Sequence, residues 1–242
     1  EKNVVYNAMG HNIFIEDGIE TNNRILHNLV VSTKRSWSLL NTDATPACFW
    51  ITNPNNHWIG NHAAGSDRYG FWFDLHDHPM GPSATNSICP RGVQLGTFRG
   101  NVAHSLTRYG LRIHEELIPR SDPCAGPSDT NFEISVFEDF FGWKNMRNAI
   151  IMERVGALVF TGLRSIDNQL GAFEVSDCSF APKGEFKLKD SVVVGYSQGN
   201  RGPLPESRGV VGPRSEGFYV SGVQFYNWDI NESQMNAPLS TC

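Results

Sequence analysis

The densest group of residues able to do chemistry is Asp74-Leu75-His76-Asp77-His78-Pro79, directly after the apolar run Phe71-Trp72-Phe73. In an extended chain alternate side chains share a face, so Asp74, His76 and His78 point one way and Asp77 the other. Imidazoles and carboxylates in that arrangement move protons or bind a divalent metal. The plainer alternative is a solvated loop entrance whose histidines bond backbone. A second group, Glu16-Asp17-Gly18-Ile19-Glu20, sets three carboxylates within five residues, close to His11. Paired carboxylates are what glycoside hydrolysis requires. Carboxylates in this order could also hold calcium, although the EF-hand loop spacing is missing, and the alternative is an acidic turn bending at Gly18. The catalytic candidates are therefore Glu16, Asp17, Asp74, His76 and His78. A third group occurs twice, as Arg68-Tyr69-Gly70 and Arg108-Tyr109-Gly110. Stacked Arg68, Tyr69, Arg108 and Tyr109 could cradle an acidic or sugar ligand, although a repeated residue is more often scaffold. The chain has no Walker A loop, GxGxxG or CxxC pair, so no cofactor and no metal other than calcium is expected.

The elements that position these groups follow from a repeat. Gly60-Asn61-His62-Ala63-Ala64-Gly65-Ser66-Asp67-Arg68-Tyr69-Gly70-Phe71 returns 40 residues later as Gly100-Asn101-Val102-Ala103-His104-Ser105-Leu106-Thr107-Arg108-Tyr109-Gly110-Leu111. A period of this length marks a solenoid or array. Short β-rich runs recur throughout, among them Val4-Val5-Tyr6, Phe49-Trp50-Ile51, Leu111-Arg112-Ile113 and Val192-Val193-Val194. The 21 Asn and 23 Gly are spread along the chain and mark regularly spaced corners, because both residues tolerate a left-handed backbone. The pattern predicts an all-β fold, a right-handed parallel β-helix of roughly 7–9 coils with long side loops. Residues 1–242 form a single domain in this reading. Asn61 stacks on Asn101 and Gly70 on Gly110, and the offset is one coil plus a long loop. Phe71, Phe73, Leu111, Ile113 and Val159 point inward. Residues 32–47, 76–96, 119–130 and 199–217 are excursions from the coil, and 137–155 reads as strand–turn–strand ahead of helix.

The net charge of −5 and the absence of a Lys/Arg run give no footprint for nucleic acid. No apolar run approaches the ~18–20 residues of a membrane span. The opening Glu1-Lys2-Asn3-Val4 reads as mid-sequence, which suggests a segment of a larger chain. Five cysteines, Cys48, Cys89, Cys124, Cys178 and Cys242, leave one odd thiol. Cys242 is expected to face outward. Cys48–Cys89 is the leading internal pair, since each lies in or beside a long loop around the repeat. Asn231-Glu232-Ser233 is a glycosylation sequon at Asn231.

Several blocks together resemble a known family. They are the run from Tyr6 to Glu20, Phe49 to Asn56, Ala63-Ala64-Gly65-Ser66 with Gly70-Phe71-Trp72-Phe73, Gly81-Pro82-Ser83, and Asn101-Val102-Ala103-His104-Ser105. They are similar to the parallel β-helix region shared by fibrocystin, fibrocystin-like protein and the cell-surface hyaluronidase (transmembrane protein 2) group. The likeness covers residues 1–180 and weakens after Cys178, and it leans to the fibrocystin side. It implies a large extracellular protein. Hyaluronidase members degrade hyaluronan, whereas fibrocystin-type members are ciliary or cell-surface receptors without settled catalysis. The residues associated with hyaluronan cleavage lie upstream of the matched region, so the resemblance transfers no catalytic residue. It implies a structural or interaction segment of an extracellular or ciliary cell-surface glycoprotein. Its partners would be glycans, neighbouring extracellular proteins and flanking domains of its own chain. A polysaccharide-degrading domain is the alternative.

Overall fold

The computed structural model describes residues 1–37, 41–197, 207–228 and 237–241. Short strands pair in parallel into three sheets of eight, eight and seven strands, each strand bonding to its counterpart one coil away. The chain is thus a parallel β-helix of eight coils, the last of them without a third strand among the described residues. The third coil, for example, runs His62–Ala64, Tyr69–Asp74 and Thr97–Arg99, and the fourth Val102–His104, Leu111–Leu117 and Ser135–Glu138. His62, Ala63 and Ala64 pair directly with Val102, Ala103 and His104. The 40-residue offset is therefore one coil, and residues 75–96 form its side loop. Residues 137–155 hold parts of three strands and no helix. The excursion read at 199–217 is shortened by the strand Arg208–Gly212, and its first part lies outside the described residues.

The corners explain the composition. Asn7, Ser32, Gly65, Ser105, Lys144, Asp167 and Asn227 all carry positive φ at the same corner, just after the first-sheet strands. Successive coils need a left-handed residue there, and Asn, Gly, Ser and Asp supply it at low cost. Inside the preceding corner the Asn stack is continuous. Asn3 donates to Asn28 (2.9 Å), Asn28 to Asn61 (2.9 Å) and Asn61 to Asn101 (3.1 Å), each through its side-chain amide. The repeated glycines are required by close approach, since a Cβ on Gly70 would lie 2.5 Å from the Gly110 carbonyl oxygen.

The core is a column of large side chains stacked on their own kind. Phe49 lies parallel to Phe71 at 4.6 Å, and Phe137 to Phe160 at 4.5 Å. Phe71, Phe73, Leu111 and Ile113 are fully buried. Val159 is not. In Leu158–Thr161 it is Leu158 and Phe160 that point inward, while Val159 pairs with the exposed Val136 on the outer surface. The register is set by two inward neighbours, and the residue between them must face out.

The expected Cys48–Cys89 bridge does not form. Cys48 lies in the buried strand Ala47–Ile51, where Thr33 Oγ1 is 3.2 Å from its sulfur, and burial pushes its thiol up to about 12. Cys89 instead bonds Cys124, with Cα atoms 5.2 Å apart. Both sit in side loops of adjacent coils, whereas Cys48 is inside the coil and cannot reach either loop. Cys178 is disulfide-bonded as well. Asn231 and Cys242 lie outside the described residues.

Candidate binding cleft

The second sheet presents its outer face along the ladder Phe14–Trp50–Trp72–Arg112, one residue per coil. His11 stacks on Trp50 at 4.4 Å, and Tyr69 packs on Trp72 at 5.0 Å. At the end of these strands the ladder opens into a cleft of about 540 Å³. Glu16, Asp17, Asp74, His76 and His78 all line it, together with Trp50, Trp72 and His114. Three separate stretches of sequence therefore converge on one site: the turn after the first-coil strand Ile13–Ile15, the end of Tyr69–Asp74, and the loop 75–96 that forms the far wall with Pro79, Met80 and Pro90.

The five candidates play different parts. Asp74 is buried and accepts a hydrogen bond from Trp50 Nε1 at 3.2 Å, which fixes the indole at the cleft floor. His78 Nδ1 lies 3.0 Å from the Ile88 carbonyl, which can only accept, so Nδ1 carries a proton. Glu20, by contrast, turns back on its own loop and accepts from the Gly18 amide at 3.1 Å. Gly18 has φ +88°, the bend expected of it. Among the described residues the side chains of Glu16, Asp17 and His76 make no hydrogen bond or ion pair to protein. They are the groups free to meet a ligand. Asp77 points away from the cleft and pairs with Arg91 at 2.6 Å.

Arg91 anchors the wall. Its Nε donates to the Leu75 carbonyl at 2.9 Å, and its other nitrogens reach Asp77 and Glu115. Cys89–Cys124 then ties the same loop to the excursion of the next coil. Behind the floor, His114 pairs in register with Asp74, and its Nδ1 lies 3.0 Å from Glu153. The His114 hydrogen bond, with the Arg112 guanidinium beside it, holds the Glu153 carboxyl down at about 2. No group of three or more His, Cys, Asp or Glu side chains among the described residues is arranged to hold a metal ion. Sequence reasoning missed Trp50, Trp72, Arg91 and His114. The signal for the tryptophans was present, because Phe49-Trp50-Ile51 and Phe71-Trp72-Phe73 both read Phe-Trp-apolar and pair in register on successive coils. Tyr69 and Tyr109 stack on each other at 6.0 Å and are buried, so only their arginine neighbours reach solvent.

Residues 1–111 match the CEMIP beta-helix family model. Over 95% of its length the chain is 37% identical to Fibrocystin-L of Mus musculus, and over 93% it is 29% identical to the cell surface hyaluronidase CEMIP2 of Homo sapiens. It is also 25% identical to Fibrocystin of Canis lupus familiaris. The likeness thus continues past Cys178, where the motifs themselves fade. The chain spans about 6% of Fibrocystin-L and 20% of CEMIP2. Among the described residues no helix is long and apolar enough to cross a membrane.

Proposed function

We propose that this homologue of Fibrocystin-L and the CEMIP proteins is an extracellular, cell-surface segment that binds a glycan in the cleft beside its second sheet. The observation that carries the reading is the convergence of Glu16, Asp17 and His76, unpartnered, on a floor of Trp50 and Trp72. Aromatic edges and apolar walls suit the C–H faces of a sugar ring, and a few fixed polar groups select its hydroxyls. The cleft bears carboxylates and no arginine or lysine lines it. That charge disfavours a polyanion and favours a neutral oligosaccharide, unless calcium bridges the carboxylates. Rigid coils and a pinned loop keep the site open without induced closure. Ciliary placement and neighbouring protein partners are further parts of this reading, carried over from the resemblance of its motifs alone.

Titration of the chain with neutral and acidic oligosaccharides, with and without calcium, tests it. Glu16→Gln or His76→Ala should weaken a neutral glycan about tenfold, the loss of one hydrogen bond to a charged or polar group. Unchanged affinity in both variants would remove the cleft from consideration. The same convergence of carboxylates and a histidine favours a second reading, polysaccharide cleavage, since one relative is named a hyaluronidase. Size-defined hyaluronan should stay intact on incubation with the chain. Depolymerisation that disappears in Asp17→Asn or His76→Ala would put the enzyme first.

A further inference from the structure

At the opposite end of the same strands, just before Tyr69 and Tyr109, three arginines occupy successive coils. The Arg108 amide donates to the Arg68 carbonyl at 3.0 Å, and the Arg147 amide to the Arg108 carbonyl at 3.2 Å. The three residues are thus stacked one rung apart, about 4.8 Å per step. The row ends at Leu170, whose amide bonds the Arg147 carbonyl. Arg35, from the excursion of the second coil, adds a fourth charge near Arg68.

A stack of like charges in a chain of net charge −5 is expected to recruit acids. Here it does not. None of the four guanidinium groups has a carboxylate partner or any other side-chain hydrogen bond among the described residues. The nearest acid, Asp67, is engaged elsewhere: one oxygen accepts from the Arg35 amide at 3.0 Å and the other lies 3.8 Å from Lys34 Nζ. Arg68 Nε is buried with no partner at all. Burial, then the charges of Arg35 and Arg108, lower the affinity of Arg68 for its own proton. All four side chains are half-buried, so their heads are held at the surface by packed stems. Such a row destabilises the free protein, and it is explained by a ligand that brings the missing anions.

We propose that Arg68, Arg108 and Arg147, with Arg35 at one end, form a second binding site, for a linear, densely sulfated glycan. The spacing decides the class. One cation per rung demands an anion at similar intervals along an extended chain. A sulfated glycosaminoglycan carries charge on successive sugars and meets that demand. Hyaluronan carries one carboxylate per disaccharide and leaves alternate arginines unpaired. The planar guanidinium fork pairs two sulfate oxygens at once, which a lysine ammonium does not. The site is independent of the cleft, which lies at the far end of the strand Tyr69–Asp74 and is acidic.

The test is calorimetric titration of the chain with a heparin-derived octasaccharide at low and moderate salt. Binding should weaken steeply with salt, and Arg108→Gln should weaken it about tenfold, the loss of one charge-assisted contact. Arg68→Gln, Arg108→Gln and Arg147→Gln combined should abolish it, whereas Arg108→Lys should retain part. Because the arginines repel one another, Arg108→Gln should not lower the thermal midpoint, which separates lost binding from lost folding. Glu16→Gln in the cleft should leave heparin binding unchanged. Heparin affinity unaltered in the triple variant would overturn the proposal. Equal affinity for a hyaluronan octasaccharide, or for a single-stranded oligonucleotide of matched charge, would overturn the assignment to a sulfated glycan.

Discussion

His11 shows how one side chain can set the acid limit of the molecule. It stacks on Trp50 and lies tilted against Trp72, and its Nδ1 accepts a hydrogen bond from the Ala47 amide at 3.1 Å. Its Nε2 is buried without a partner. Burial outweighs the nearby Asp43 charge and lowers the imidazole from 6.5 to about 4. The unfolded chain takes up a proton below pH 6.5 and the folded chain does not until about pH 4. Stability is therefore full above pH 6.5 and is lost as pH falls towards 4, by on the order of 3 kcal/mol. Burial shifts His62 and His104 the same way. Urea titrations between pH 7 and 4 should show a markedly shallower loss in His11→Asn than in the parent; equal slopes would contradict this account. Glu153 acts in a lower window. Its carboxyl falls from 4.5 to about 2 in the folded state, so its contribution is complete above pH 4.5 and drains away between 4.5 and 2. In Glu153→Gln that second decline should flatten. The sequence made His11 visible only as a neighbour of the acidic turn. Its burial depends on Trp50 and Trp72 from the next two coils, and no local pattern reports that. The convergence of Asp74, His76 and His78 with Glu16 and Asp17 was legible as a question, because chemistry-bearing residue types stood at strand ends. Their meeting is a property of coil register, which the 40-residue repeat fixed for only one pair of coils.

Among the elements, the side loops and the corner ladders contribute differently. Asn61 is fully buried, and every polar atom of its amide is used. Its oxygen accepts from Asn28, and its nitrogen donates to Asn101 and to the Ile25 carbonyl at 2.8 Å. Asn61→Leu strands partners on both adjacent coils, and chemical denaturation should show a loss of at least about 2–3 kcal/mol. A loss below about 1 kcal/mol would mean the ladder is only a spacer. This ladder was readable in the sequence, because Asn61 and Asn101 hold equivalent places in the repeat. The disulfide was not. Cys89 and Cys124 are 35 residues apart in loops of unlike sequence, and only the stacking of consecutive coils brings those loops together. Closing a loop of that length restricts the unfolded chain by about 4 kcal/mol in the chain-entropy treatment. The bridge also holds the loop that walls the cleft. Cys124→Ser should lower the unfolding midpoint and weaken glycan binding together, measurable by thermal unfolding and titration on one sample. Weakened stability with intact binding would show that Arg91 alone holds the wall.

Over the whole molecule, strand pairing joins each coil only to its neighbours, so stability is largely a chain of nearest-neighbour interfaces rather than one pooled core. The aromatic column shows where that chain is thick. Phe98 contacts Phe71, Phe73, Phe137 and Phe140, with ring centroids between 5.3 and 6.0 Å, and so binds the third, fourth and fifth coils together. A second group, Phe160, Phe173, Phe186 and Phe218, serves the fifth to seventh coils. The parallel stack of Phe137 on Phe160 is the ring contact that joins the two groups. The cleft lies on the first group's side of that joint, while the arginine row reaches the fifth coil at Arg147 and so crosses it. Phe98→Ala should cost about 3–5 kcal/mol, since a fully buried ring leaves a cavity that four fixed aromatics cannot fill. Amide exchange followed coil by coil should then show protection falling in the second to fifth coils, while the sixth and seventh keep most of theirs. Phe137→Ala should do something different, uncoupling the halves so that each exchanges with its own free energy. A uniform fall in protection along all coils in both variants would mean that the solenoid unfolds as a single unit, and that the ring contacts between coils are not what divides it.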